Sequence, residues 1–201
     1  MQRRTLDIVL SVGGLALAGL LLVIGIVFTS NANFANDYVT DQLSQQHIKF
    51  KAAAALTDEE KQSACVVKYA GQDLTTGKQA ECYANDFIGL HLKSTANGAT
   101  YAELGAPQAD LRTKVADAEK ANDPNLANLQ QQLADITTQR DTVFKGETLR
   151  GLLLTSYGFS QFGDKADTAS QLCFLLAAVL ALASIAGIIH AMTTPKTELV
   201  V

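Results

Sequence analysis

The sequence predicts an all-α membrane protein in which two transmembrane helices flank a mainly helical extracytoplasmic domain. Three observations predict it. Two stretches lack Asp, Glu, Lys and Arg over a membrane-spanning length, one near each end of the 201 residues. The segment between them carries apolar residues at helical rather than alternating spacing. Arginines precede the first stretch and a lysine follows the second.

The first stretch is Ile8–Phe28, "IVLSVGGLALAGLLLVIGIVF", and the second is Leu172–Met192, "LCFLLAAVLALASIAGIIHAM". A helix rises about 1.5 Å per residue, so each crosses a hydrocarbon core of roughly 30 Å. The opening "MQRR", with "SNA" at Ser30–Ala32, also resembles a cleavable signal peptide. Signal-peptide cores run about 7–15 residues. The longer run here favours an uncleaved anchor.

Arg3 and Arg4 lie before the first stretch, and Lys196 lies after the second with Glu198 nearby. The positive-inside rule then puts both ends in the cytoplasm. The expected layout is a cytoplasmic tail at 1–7, a transmembrane helix at 8–28, an extracytoplasmic helical domain at 29–171, a transmembrane helix at 172–192 and a tail at 193–201. The expected location is the plasma membrane, as a multi-pass protein with most of its chain outside. Of the 20 Asp+Glu only Asp7 and Glu198 fall outside the middle segment, whereas Arg3, Arg4 and Lys196 of the 16 Lys+Arg do. The middle segment is therefore net acidic, which argues against nucleic acid or an anionic lipid surface as its partner.

Such a compartment is oxidising, so paired cysteines there default to a disulfide. In "LTDEEKQSACVVKYAG", Thr57 with Glu60 reads as a capping box and Gly71 as a helix end. "TTGKQAECYANDFIGLHL" reads as a second helix, with Ala80, Tyr83, Phe87, Leu90 and His91 near one face. A hairpin turning around Asp73–Leu74 sets Cys65 opposite Cys82, as a disulfide requires. The absence of a CxxC pair or a His cluster disfavours metal. Cys173, at the start of the second span, reads as a small apolar packing residue.

Farther on, Leu126, Leu129, Leu133, Ile136 and Val143 form a stripe interrupted by Arg140, and Leu104, Leu111, Val115 and Ala118 form another. Asp123 suits a cap and Pro124 a first helical position. The economical arrangement is a helical hairpin turning at Asn122–Asp123. The Leu126, Leu129, Leu133 and Ile136 stripe serves either as the domain's own core or as a partner surface. From Glu147 to Met192 no proline intervenes, so one helix is expected to run from the domain into the second span, in preference to one stopping at Gly163. Gly151, Thr155 and Gly158 lie on it as a small stripe, a second candidate partner surface. "NANFANDYVTDQLSQQ" extends the first span outward, and "HIKFK" is extended but too short for a sheet. Ser11, Gly14 and Ala18 on the first span, and Ala183, Gly187 and Ala191 on the second, are expected to let the spans pack closely.

Catalytic patterns are not apparent. His47, His91 and His190 are isolated in sequence, and "DEE" at Asp58–Glu60 reads as charge favoured at a helix N-terminus. GxSxG, Walker and GxGxxG motifs do not occur. The expectation is no enzyme, no cofactor and no metal site. The short tails carry no output domain, so a partner is expected to complete any function.

"HIKFKAAAALTDEE", "CVVKYAGQDLTTGKQAECYANDFIGLHL", "NGATYAELG" and "KGETLRGLLLTSYGFS" resemble an actinobacterial family of two-span membrane proteins. That family includes the respiratory supercomplex association factor, an accessory subunit of the cytochrome bcc–cytochrome oxidase supercomplex. The resemblance runs over roughly residues 5–192. It implies a two-span subunit with a periplasmic helical domain and no redox centre, docked in the bilayer on a complex of cytochrome bcc and cytochrome oxidase subunits. It brings no assigned ligand or catalytic residue. An extracytoplasmic ligand-binding or sensor module acting through a partner is the alternative.

Overall fold

The structure is a computed structural model, and residues 2–195 are described. Lys196 and Glu198, part of the topology argument, lie outside the described residues, as does most of the 193–201 tail. The described residues are helical: α1 (Arg3–Ser44), α2 (Ala64–Tyr69), α3 (Gly77–Cys82), α4 (Gly89–Thr95), α5 (Gly105–Ala121) and α6 (Leu126–Thr193). Tight 3-10 turns occupy Ala53–Ala55 and Glu60–Gln62, and a π turn, Tyr83–Ile88, joins α3 to α4. The chain forms two compact units, one from residues 1–38 with 159–201 and one from Val39–Gly158.

In the first unit, α1 and α6 each contain a stretch long and apolar enough to cross a membrane. Only 17% of that stretch in α1 and 11% in α6 is buried, so protein atoms do not cover these side chains as they would in a soluble core. Along the apolar stretches a series of buried positions runs through Ser11, Ala18, Gly25 and Ala32 on α1 and through Ser170, Ala177, Ser184 and Ala191 on α6. Both sets are small and repeat every seventh residue. A seven-residue repeat keeps one seam facing the partner helix through a left-handed twist. The pairing is antiparallel: Ser11 meets Gly187, Gly14 meets Ser184, Gly25 meets Phe174 and Asn36 meets Gly163. A side chain added at Gly14 would run into the Ser184 hydroxyl, and one at Gly187 into that of Ser11. Near the Arg3 end, Asp7 Oδ2 lies 3.9 Å from His190 Nε2.

In the second unit, Phe50, Leu74, Val66 and Val39 are each no more than 3% exposed and centre the core. Phe50 sets its ring against Tyr69 at 5.6 Å and edge-on to Tyr83 at 5.1 Å. The extended segment around Lys49 does not build a sheet. It pairs with the hairpin turn, Leu74 N–H donating to Ile48 C=O at 2.8 Å and Phe50 N–H to Gln72 C=O at 2.9 Å. Gly71 adopts φ 75°, a left-handed value glycine takes without steric cost, and its N–H donates to Lys51 C=O.

The helix expected across residues 57–71 is interrupted. Thr57 and Glu60 do cap each other, Thr57 N–H donating to the Glu60 carboxylate at 2.8 Å, but they open only a 3-10 turn. Ser63 then adopts an extended backbone, accepts from Val66 N–H and starts α2 afresh. The following helix begins with a box not anticipated from the sequence, Thr76 with Gln79. The hairpin of α5 and α6 turns at Asn122 in the left-handed conformation. α6 continues for 68 residues through Gly146, Gly163 and the apolar stretch, so no stop occurs at Gly163.

Candidate functional site

Cys65 on α2 and Cys82 on α3 form a disulfide, with Cα atoms 6.0 Å apart. Cys82 is buried, and Cys65 is half-buried beside Ser63 and Asp86. The Asp86 carboxylate lies near both sulfurs, but bonded sulfurs offer no thiolate to an ion. The trio is therefore a staple with an acidic neighbour. In the chain-entropy description a loop of this size stabilises by about 3 kcal/mol.

A second group in the Val39–Gly158 unit gathers on one acidic side chain. Glu60 is fully buried. Its carboxylate accepts from Lys51 Nζ at 2.6 Å, from Thr57 N–H at 2.8 Å and pairs with His91 Nε2 at 2.9 Å. Burial by itself raises the Glu60 carboxyl pKa. The Lys51, Thr57 and His91 partners outweigh it and bring the value from 4.5 down to about 2. Lys51 also lies over the Phe87 ring, and Phe87 meets the His91 ring edge-on. The expected role of Glu60, charge at a helix N-terminus, is thus only part of the picture. It ties the "HIKFK" segment, the 3-10 turn and α4 together.

Around His91 the surface dips into an open groove of about 390 Å³, floored by Phe87, Ile88, Leu92 and Leu149 with Lys145 at its edge. Within it the Leu92 side chain lies against Gly146.

The two expected partner surfaces fare differently. Leu126, Leu129 and Leu133 are half-buried, and Ile136 packs on the Ala96, Leu104 and Val143 cluster. Arg140, which breaks the stripe, donates to Gln108 Oε1 at 2.7 Å and lies 4.1 Å from the Tyr101 ring centre. It fixes the start of α5. At Gly151 and Gly158 an added Cβ would have no atom of the described residues within 4 Å, so no described helix crowds them. Leu152, beside Gly151, is 64% exposed.

Of the seam residues expected from four-residue spacing, Ser11, Gly14 and Gly187 lie in the contact, and Ala18 and Ala191 are buried along it. Ala183 is exposed at its edge, and Ser184 takes the buried place. The physical reason is the period: a four-residue step drifts off the seam, whereas the seven-residue step from Ala177 to Ser184 to Ala191 stays on it. That repeat, and the T-x-x-Q box at Thr76, were present in the sequence as signals. Cys173 is half-buried with a free thiol.

Comparison with known proteins returned no match to a family model, to a curated protein or to a solved structure.

Proposed function

We propose that this chain is a non-catalytic accessory subunit of a larger integral-membrane complex, aiding its assembly or stability. By sequence resemblance the complex is the actinobacterial cytochrome bcc–oxidase supercomplex. In this reading both apolar stretches span the plasma membrane, both ends are cytoplasmic and the Val39–Gly158 unit lies outside. One observation carries the reading: apolar surface stays open where the chain has already met its own packing needs. Gly151 and Leu152 stand clear on α6 beside Leu153, which is buried in the unit's own core. In water, apolar burial contributes about 25 cal/mol per Å², so a partner gains by covering such a face.

The test is purification in mild detergent from native membranes. The chain should bring cytochrome subunits with it, and Leu152→Glu should weaken that retention while melting as wild type. A chain that isolates alone under conditions that keep the complex intact would defeat the reading.

The groove beside His91 favours a second reading, a ligand-binding module acting through a partner. Its size lies in the range of small-molecule pockets, about 300–1,000 Å³. A chain isolated alone that binds a small molecule, and loses it on Leu92→Trp, would support this reading over the first.

A further inference from the structure

We propose that Phe34, Tyr38, Phe159 and Phe162 form a docking patch for a spanning helix of a neighbouring integral-membrane subunit, just outside the headgroup layer. This rests on the accessory-subunit reading. The first three rings touch one another, with centroids 6.0 Å apart for Phe34 and Tyr38, 6.4 Å for Phe34 and Phe159, and 5.8 Å for Tyr38 and Phe159. They nevertheless remain 64%, 50% and 38% exposed, and Phe162 is 75% exposed. The helices close up beside the rings, where Gly163 lies on Asn36 and Ala35. The aromatics are thus held outward by a tight seam.

Area and height decide what covers them. At about 200 Å² per aromatic side chain, the four expose on the order of 450 Å² together. That is near the largest apolar patch of an ordinary monomer, about 300–600 Å², and about half of one side of a standard interface. Phe34 lies six residues beyond Phe28, and Phe162 ten residues before Leu172. At about 1.5 Å per residue these are roughly 9 and 15 Å past the hydrocarbon edge. The polar layer on each side is only about 5–8 Å thick, so the backbone positions that carry the rings lie past its outer edge. Asn31 and Asn33 on α1, with Asp167 and Thr168 on α6, occupy the headgroup level and are exposed.

The face below the patch identifies the kind of partner. At about 100° per residue, Val27, Val23 and Leu20 lie within about 40° of Phe34 around α1. They are 52%, 59% and 55% exposed, so one face of α1 runs from open aliphatic surface to open aromatic surface. A helix lying along that face in the bilayer continues onto the rings, whereas a soluble partner reaches the rings alone. Asp37, exposed between Phe34 and Tyr38, selects a Lys or Arg on that helix.

The experiment places the photo-reactive amino acid benzoylphenylalanine at position 34 or 162 of the full chain in native membranes. Irradiation should join it to a spanning helix of a subunit that co-purifies with the wild type. The double variant Phe34→Ala, Phe162→Ala should melt as wild type and be retained at least tenfold less. If the wild type keeps its membrane partners but the adducts fall on lipid or on a second copy, the patch proposal fails and the accessory reading stands. Retention of the double variant within twofold of wild type likewise overturns the patch and leaves the accessory reading standing. If the wild type isolates alone, the accessory reading fails first. The cross-link needs no folding-sensitive substitution, so an unstable alanine variant leaves the test intact.

Discussion

The paired helices and the Val39–Gly158 unit are built on opposite plans. Inside the helix pair are Ser11, Ala18, Gly25, Ser170, Ala177 and Ser184, and outside are Leu20, Val23, Leu175 and Leu182. Inside the other unit are Phe50, Leu74, Val66 and Ile88, with a disulfide across it. In the proposed membrane arrangement, the difference follows from what each surface meets. In lipid, leucine gains nothing by leaving the surrounding tails, so helices associate through close approach of small residues. In water, large apolar side chains drive the core, and a small unit gains further from a staple.

The largest expected effect lies in the core of the Val39–Gly158 unit. Phe50→Ala should cost about 3–5 kcal/mol there and leave the helix pair untouched. Hydrogen exchange resolved by peptide reads this: faster exchange in α2 to α4 with unchanged protection around Ala18 and Ala177. Equal loosening of both units would mean that the two plans are not separate.

Reducing Cys65–Cys82 should cost about 3 kcal/mol, again in that unit alone. Denaturant midpoints with and without reductant measure it. An unchanged midpoint would show that the helices hold without the staple.

Gly14→Leu should cost about 1–3 kcal/mol in the helix pair, because the Ser184 side chain occupies the space. Leu22→Ala, on the open face, should cost almost nothing in the isolated chain. Separation of the helices in detergent, followed by a disulfide engineered between positions 11 and 187, reads both. If the outward change costs as much as the inward one, the seam is misplaced.

Acid sharpens the comparison because Glu60 belongs to one unit only. Its pKa is lowered on folding from 4.5 to about 2, chiefly by Lys51, Thr57 and His91 acting against burial. Its contribution is therefore complete above about pH 4.5 and fades as pH falls towards 2. Glu60→Gln should flatten this limb of the stability curve. The smallest effect is expected at Gly158, where nothing among the described residues crowds an added methyl. Gly158→Ala should be neutral or stabilising by up to about 1 kcal/mol in the isolated chain, read by thermal melting.

Much of this was legible from sequence. The apolar stretches declare themselves by composition, and the Cys65–Cys82 bond followed from a turn midway between the cysteines. Asp123 and Pro124 marked the hairpin turn as a helix start, although α6 begins two residues later, at Leu126, and the left-handed Asn122 came only with the structure. The break at Ser63 was hidden, since a serine inside an otherwise helical pattern either stays in the helix or caps a new one, and Val66 N–H settles which. Glu60 was hidden because its partners, Lys51 and His91, come from distant segments. The seam was misread at Ala183 because small residues are common on both faces, and only the seven-residue period separates them. The openness of Gly151 and Gly158 depends on which helices come near, and local spacing does not encode that.

The proposed arrangement, a membrane-spanning helix pair with the Val39–Gly158 unit outside, meets its most direct test in cysteine accessibility. In a Cys173→Ser background, Asp58→Cys, Val23→Cys and Arg4→Cys are treated with a membrane-impermeant maleimide, first on intact cells and then after permeabilisation. Asp58, whose side chain is 99% exposed, should label in intact cells. Arg4→Cys should label only after permeabilisation, and Val23→Cys in neither case. Labelling of Val23→Cys would take the helix pair out of the membrane, and labelling of Asp58→Cys only after permeabilisation would place the stapled unit on the wrong side.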